Sequence, residues 1–355
     1  MKRGIFILCA VTMLLLGTTA QASINGKNVI YIHGLQFTAI LNPFLRYNEE
    51  KREDDVRPQG GVELNSIVEG RIFYNSAERL EQNTEYLVRQ LKELEGSRIC
   101  EDGCYFITAS TGDLVARHIL QNLQAFGIDS KKFWVIASFD LVGAGYGTEL
   151  ADVGVAIFEQ NPIHNAIKPV IEIFAPTEFW VAGMGYNIRP TKARETATQR
   201  MGIPHLRVAG RGSNALAAVF KPILKGGDDS VVPLHSACAS TKREAIYSCS
   251  KRRQMDGKNV AWTSGASGII DDHFPILMAR DMHHTQDDYT GIAVPLNNNR
   301  TFTGTNNIGT RVSLDEKTRT TGRWFWKQTF TTIDKPSNQT LVGFFREEFN
   351  AEEAE

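Results

Sequence analysis

Residues 104–120 constrain the fold of this chain more than any other segment, because they change from a strand pattern to a helix pattern within a few residues. The side chains at 105–108 are β-branched or aromatic, whereas 114–120 place apolar groups at helical spacing. Ser110 lies at the apex of the tight turn between the two patterns. Such a turn holds a hydroxyl above the sheet edge, beside the first free N–H groups of the following helix. The pattern therefore predicts a nucleophile next to an anion site.

This segment resembles the nucleophile elbow of the α/β-hydrolases, and specifically that of bacterial lipases, whose usual form is Gly-His-Ser-x-Gly-Gly-Leu-Val-Ala-Arg. The matching residues are Ser110, Gly112, Leu114, Val115, Ala116 and Arg117. Thr108 stands where the first glycine is usual, a place where some lipases carry alanine or threonine. Asp113 replaces the second elbow glycine; it favours the helix dipole but could repel an anionic substrate. A serine in an ordinary strand-to-helix loop is the alternative interpretation.

The resemblance implies an α/β fold, with a mostly parallel central sheet, helices on both faces, a cap insertion and a C-terminal extension. We expect the hydrolase domain over 23–295, a cap or lid within about 153–200, and an extension over 296–355 whose role is unknown. The cap segment is rich in apolar side chains that could shelter an acyl chain, although an extra pair of core helices is the other interpretation. Within the extension, 328–333 and 339–345 have strand-like patterns.

The resemblance also implies an oxyanion hole. The first predicted core strand, 29–32, ends in His33-Gly34-Leu35, which is similar to the strand-then-His-Gly signature of lipases. On that resemblance the N–H groups of Leu35 and Thr111 hold the carbonyl oxygen while it carries negative charge. Preorganised donors of this kind stabilise the transition state of ester cleavage. The alternative is that His33 only packs at a strand end.

The acid of the predicted triad lies in the glycine-rich run 226–233. In lipases the acid follows a strand and is itself followed by two residues and then Val-Pro, which assigns Asp229. Asp228 is its local competitor. Aspartate in such a run is also ordinary turn chemistry.

The histidine is assigned in the same way. Residues 259–263 predict one more strand, and family members usually carry the catalytic histidine on the loop after the last core strand. His273 fits this place, and His283 and His284 are nearby alternatives in a polar run. The chain order serine, aspartate, histidine is that of the α/β-hydrolases.

We expect neither a required metal nor a cofactor. Lipases with a similar elbow often bind calcium through an aspartate two residues beyond the histidine, and Pro275 occupies that place here.

Residues 1–22 have the pattern of a secretory signal peptide. Lys2 and Arg3 precede an apolar run over 4–17, which is too short to span a bilayer, and Ala20-Gln21-Ala22 forms a small-residue cleavage site. We therefore expect a soluble protein that is secreted or periplasmic after cleavage near Ala22.

Four cysteines remain after that cleavage, an even number in an exported chain, which suggests two disulfides. Of the three possible connectivities we favour Cys100 with Cys104 and Cys238 with Cys249, because each closes a short loop. A zinc site is the rival interpretation, but the second pair lacks zinc-finger spacing.

The net charge of the chain bears on the classes of partner that it can attract. The 355 residues carry a formal net charge of -1, which provides no long-range attraction to nucleic acid. The resemblance implies a serine hydrolase of small-molecule or lipid esters that contacts lipid surfaces transiently. Acyl transfer by the same triad and a degenerate scaffold used for binding are the alternatives. The sequence does not indicate an oligomeric state.

Overall fold

The structure is a computed structural model. It describes residues 23–36, 64–160, 167–197, 201–210, 212–240, 242–244, 246, 273–279, 282–285, 300–305, 310–321, 324, 328–333, 343, 345 and 350–353, and the statements below concern these residues. The predicted signal peptide, the predicted strand over 259–263 and Cys249 lie outside them.

A six-stranded parallel sheet forms the centre of the fold, as the resemblance predicted. Its strands are β1 (Asn28–Ile32), β2 (Gly70–Ile72), β3 (Cys104–Ala109), β4 (Val135–Leu141), β5 (His205–Gly210) and β6 (His273–Ala279), in the spatial order β2-β1-β3-β4-β5-β6. The chain leaves β1 towards β2 on one side and leaves β3 towards β4 on the other. Ligands of open α/β sheets bind at such a reversal, beyond the carboxyl ends of the strands.

The central strands are apolar along their whole length because both faces of the sheet are covered. Every residue of β3, β4 and β5 is buried. One buried cluster includes Phe106 on one face, and a second includes Phe139 on the other. This is the pattern of a parallel sheet between two layers, and it confirms the predicted α/β class.

Helices connect the strands and cover the sheet. After a short 3-10 helix over Leu80–Asn83 they are α1 (Thr84–Gly96), α2 (Gly112–Asn122), α3 (Glu149–Phe158), α4 (Lys168–Phe174), α5 (Thr177–Ala182), α6 (Met184–Asn187), α7 (Pro190–Ala197), α8 (Ala215–Phe220) and α9 (Leu234–Ala237). No helix in these described segments is long and apolar enough to cross a membrane.

The segment predicted as a cap holds helices α4 to α7, and two of its aromatic side chains are buried. Phe179 and Trp180 are almost fully enclosed. A Cβ atom built on Gly154 of α3 would lie 2.2 Å from the Trp180 ring, so α3 and the ring are in close contact. The N–H of Met184 donates to the carbonyl of Ser76, 3.1 Å away, which ties α6 to the body of the domain. The burial of Trp180 against α3 agrees with the alternative interpretation of this segment, in which it forms extra core helices.

The predicted extension forms a separate antiparallel sheet. Its strands are β7 (Arg300–Thr305), β8 (Thr310–Thr321), β9 (Gln328–Ile333) and β10 (Asn350–Glu353), all paired through β8. The strand predicted over 328–333 is therefore confirmed. Gly343 and Phe345 are helical, so the strand predicted over 339–345 is wrong at both.

Phe345 shows that the extension also contributes to the main core. Its side chain is 0% exposed and belongs to the buried cluster that contains Phe139. The two rings stack with centroids 4.5 Å apart. Through Phe345 the extension therefore covers part of one face of the central sheet.

Replacing Phe345 with alanine is expected to reduce the free energy of unfolding by about 3–5 kcal/mol, because it leaves a cavity against β4. Urea denaturation followed by tryptophan fluorescence measures this loss. Trp324 is the matched aromatic control, because it is 79% exposed and its replacement by alanine should change stability by less than about 0.5 kcal/mol. Equal effects of the two substitutions would mean that Phe345 is not part of the core.

One predicted disulfide is present. Cys104, the first residue of β3, is joined to Cys100 by a bond of 2.11 Å. Cys238 is also disulfide-bonded. Its pairing with Cys249 stays a prediction.

Candidate active site

Ser110 occupies a strained turn between β3 and α2. Its φ of +52° lies in the left-handed region that side-chain-bearing residues rarely adopt. The turn is held from both sides, because the Ser110 N–H donates to the Leu141 carbonyl at 3.0 Å and the Ser110 carbonyl accepts from the Ala144 N–H at 2.9 Å. Strain maintained in this way is characteristic of functional sites and of the nucleophile elbow.

Gly112 allows the elbow to approach the end of β1. A Cβ atom at this position would lie 2.4 Å from the carbonyl oxygen of Ile32 and 2.6 Å from that of His33. Neither backbone atom could move without disturbing the sheet. The glycine of the elbow motif therefore brings the start of α2 next to the loop that carries Leu35.

A continuous hydrogen-bond chain joins Ser110 to His284 and Asp229. The Ser110 Oγ lies 2.7 Å from His284 Nε2, and His284 Nδ1 lies 2.9 Å from Asp229 Oδ2. With Nδ1 carrying the proton, the serine hydroxyl donates to Nε2 and the imidazole donates to the carboxylate. The side chains are buried, with exposed fractions of 3% for Ser110, 7% for His284 and 1% for Asp229. The arrangement can remove a proton from the serine and stabilise the imidazolium that results.

Asp229 is oriented by its own backbone. Its Oδ1 accepts from the N–H groups of Val231 at 3.0 Å and Val232 at 2.7 Å, which leaves Oδ2 directed to the imidazole. The Asp229 carbonyl also accepts from the His284 N–H at 2.9 Å, so acid and histidine are joined by main chain as well as side chain.

Asp228, the competing aspartate, points elsewhere. One of its oxygens accepts from the Ser230 N–H and the other from Lys221 Nζ, each at 3.0 Å. It therefore serves the turn and a partly exposed ion pair, and the structure brings Asp229 rather than Asp228 to the histidine.

The sequence prediction for the histidine is corrected from His273 to His284. His273 is the first residue of β6 and lies opposite His205, the first residue of β5. Because the strands are parallel, His273 is at the amino end of the sheet, whereas Ser110 follows the carboxyl end of β3. Among the strands that the structure describes in this sheet the last is 273–279, so the rule that the histidine follows the last core strand leads to the two histidines after it. The signal that could have found it is the apolar run at 274–279 just before the two adjacent histidines.

The loop that carries His284 is fixed by the segment after β5. The Met282 carbonyl accepts from the Gly212 N–H at 2.7 Å, and Thr285 Oγ1 accepts from Asn214 Nδ2 at 2.6 Å. His283, the other alternative, has its Nδ1 3.4 Å from Thr285 Oγ1. These contacts select His284 as the residue that enters the site.

Leu35 and Thr111, the predicted oxyanion-hole residues, each lie next to an element of the elbow region, and their role stays a prediction. Thr111 is the residue after Ser110 and caps α2, and Leu35 follows the end of β1. Among the hydrogen bonds of the described residues, neither the Leu35 N–H nor the Thr111 N–H is a donor. Backbone N–H groups of this kind are the donors that an oxyanion hole uses.

His33 fixes the loop that carries Leu35. Its Nε2 accepts from the Tyr74 N–H at 3.3 Å, so its Nδ1 carries the proton and donates to the Gly34 carbonyl at 2.5 Å. The imidazole also stacks on the Tyr74 ring, with centroids 4.3 Å apart. His33 packs at a strand end, as the alternative interpretation had it, and in doing so shapes the candidate oxyanion loop.

Charged side chains are buried between the sheet and α2, behind the elbow. Asp113 Oδ1 lies 3.0 Å from Arg117 Nε and 3.4 Å from His205 Nε2. Burial, reinforced by the neighbouring Asp113 carboxylate, raises the pKa of Asp140 well above its usual range. Burial, together with Arg207 and Arg117, lowers the pKa of His205 well below its usual range.

Three members of this group could in principle ligate a metal. Ligand atoms of Asp113, Asp140 and His205 lie within 4.8 Å of one another. Arg117 and Arg207, however, already bring two positive charges to the two carboxylates, so a divalent cation would leave this buried group with an excess of positive charge. The predicted absence of a required metal stays a prediction.

Comparisons with known proteins concern the fold. No protein-family model matches the sequence, and comparison with curated proteins gives no significant match. Among solved structures, the mature form of the lipase BlEst2 from Bacillus licheniformis is similar at 14% identity, with a TM-score of 0.41 over 61% of this chain and 79% of that chain. The phospholipase PlaB from Legionella pneumophila is similar at 14% identity, with a TM-score of 0.36 over 59% of this chain and 45% of that one. The metagenomic carboxyl esterase MGS0156 is similar at 15% identity, with a TM-score of 0.36 over 60% of this chain and 60% of that chain.

The strand order, the strained serine after β3 and the glycine packed against β1 define the class. The chain has an α/β-hydrolase fold, as its sequence resemblance implied.

Proposed function

We propose that this protein is an exported serine hydrolase of carboxylic esters that works through an acyl-enzyme. The observation that carries the proposal is the hydrogen-bond chain from Ser110 through His284 to Asp229, built on a strained elbow. Nucleophile, base and orienting acid within hydrogen-bond distance are the geometric requirement for this chemistry.

In the acylation step the Ser110 oxygen attacks the ester carbonyl while its proton passes to His284 Nε2. The carbonyl oxygen becomes negative and accepts from the N–H groups of Leu35 and Thr111. Asp229 stabilises the imidazolium through Nδ1. The imidazolium then gives its proton to the departing alcohol, and the acyl group remains on Ser110.

In the deacylation step His284 takes a proton from water, and the resulting hydroxide attacks the acyl carbon. The same N–H groups stabilise the second tetrahedral intermediate. The proton returns to the Ser110 oxygen when the carboxylic acid departs, so the enzyme is regenerated without a cofactor or net change in protonation.

The proposed substrates are small-molecule or lipid esters, and the proposed location is outside the cytoplasm. The disulfide between Cys100 and Cys104 supports an oxidising compartment, because such bonds are rare in reducing ones. The signal-peptide pattern supports the same location.

A fluorophosphonate probe tests the proposal. The Ser110 oxygen would bond to phosphorus, fluoride would leave, and the serine proton would pass to His284. We expect the wild-type protein to be labelled at Ser110 and to hydrolyse p-nitrophenyl butyrate, and we expect Ser110→Ala to lose both properties while keeping its circular dichroism spectrum. A folded wild-type protein that is neither labelled nor active would contradict the proposal and leave the binding-scaffold alternative.

A further inference from the structure

Asp113 presents an electrostatic difficulty for an enzyme of the proposed kind. It lies in the first turn of α2, and its N–H donates to the Ser110 carbonyl at 3.2 Å. Thr111, whose N–H is one of the two proposed oxyanion donors, caps the same helix end two residues earlier. A carboxylate in the first turn of this helix opposes the negative charge of the tetrahedral intermediate, and burial leaves little water to screen it.

Arg117 lies one helical turn further along and is directed at this carboxylate. Its Nε donates to Asp113 Oδ1 at 3.0 Å, and both side chains are buried. The guanidinium also lies over the Tyr146 ring, 4.7 Å from its centroid, which fixes its position. An ion pair this close and this dry cancels much of the field that either charge would exert alone.

The other groups around Asp113 are poorly suited to replace Arg117. His205 is within 3.4 Å, but its lowered pKa favours the neutral imidazole. Arg207 lies opposite Asp140 in the register of β4 and β5 and interacts with that carboxyl. Among the described side chains, Arg117 is thus the permanently charged cation bonded to Asp113.

We propose that Arg117 is a positioning residue that supplies the internal counter-charge of the elbow, so that the Asp113 carboxylate does not oppose the oxyanion. The inference deepens the proposed function and rests on it. It concerns the charge of the transition state, and it therefore predicts an effect on kcat rather than on the binding of a neutral ester.

Phenylboronic acid measures this effect directly. The Ser110 oxygen adds to boron and the serine proton passes to His284, so boron acquires the negative charge that the carbonyl oxygen carries during turnover. For Arg117→Gln we expect the inhibition constant to rise about tenfold to a hundredfold and kcat for p-nitrophenyl butyrate to fall by a similar factor, while KM changes by less than about threefold.

The double variant Asp113→Asn with Arg117→Gln removes both charges and should recover to within about threefold of wild type in both quantities. Lys168→Gln is the matched control, because the exposed side chains of Lys168 and Glu172 form an i,i+4 ion pair on α4, 3.6 Å apart. Neither kcat nor the inhibition constant should change in that control.

Three results would overturn the inference. The first is an unchanged inhibition constant in folded Arg117→Gln. The second is a folded double variant as impaired as the single one, which would indicate a packing role. The third applies if Arg117→Gln does not fold and is read from Asp113→Asn alone. Removing the carboxylate should leave boronate binding equal or tighter, so weaker binding in that variant contradicts the inference. Failure of the proposed function can be distinguished from failure of this inference, because in that case the wild-type protein would neither hydrolyse ester nor bind the boronate.

Discussion

Replacing His284 with alanine is expected to lower kcat for ester hydrolysis by about 10⁴- to 10⁶-fold, the range found when the base of a serine triad is removed. Without the imidazole the Ser110 hydroxyl has no partner to take its proton, because His284 Nε2 is the group 2.7 Å from it. Initial rates with p-nitrophenyl butyrate at saturating concentration measure the loss. The circular dichroism spectrum and thermal midpoint show whether the fold persists.

His273→Ala is the control that separates the sequence assignment from the structural one. His273 begins β6 at the opposite end of the sheet, so its loss should change kcat by less than about threefold in protein that remains folded. A normal turnover in folded His284→Ala together with a collapsed turnover in His273→Ala would restore the sequence assignment.

Replacing Asp229 with asparagine is expected to lower kcat by about 10³- to 10⁴-fold, with KM little changed. The amide is nearly the same shape as the carboxylate, so packing is preserved. It cannot stabilise the imidazolium by charge, and if its NH₂ group faces His284 Nδ1 it favours the tautomer whose Nε2 carries the proton. That tautomer cannot accept the proton of Ser110.

Asp228→Asn is the neighbouring control. Asp228 bonds the Ser230 N–H and Lys221 rather than His284, so the same substitution one residue earlier should lower kcat by less than about fivefold. Equal losses in the two variants would mean that the turn as a whole, and not the Asp229 carboxylate, supports activity.

Local pattern was sufficient for the elbow, since the change from strand to helix and the following glycine both lie within ten residues of Ser110. The proposed donor Thr111 belongs to the same motif, whereas Leu35 was predicted from the separate strand-then-His-Gly motif at 29–35. Asp229 could be assigned because the acid turn has a local sequence signature, and its two backbone hydrogen bonds are formed within three residues.

The histidine could not be assigned by the same means, because its position depends on which strand is last in the sheet. That is decided by pairing with β5, a contact between distant parts of the chain. The pairing of Asp113 with Arg117 in a buried place could not be predicted for another reason. An acidic residue in the first turn and an arginine four residues later resemble a surface ion pair, and the pair is buried because the sheet and the loop after β4, which holds Gly145 and Tyr146, pack over it.

The Ser110–His284 hydrogen bond joins residues 174 positions apart in sequence, and this separation has a kinetic consequence. Long-range parallel pairing is slow to form, because the entropy of loop closure is lost before the contacts compensate for it. A refolding chain can build the elbow from β1, β3, β4 and the loop after β4 before β6 pairs with β5. Such an intermediate would hold a correctly bent serine with no base beside it. Recovery of esterase activity during refolding would therefore report the docking of β6, and would lag behind the recovery of helical signal.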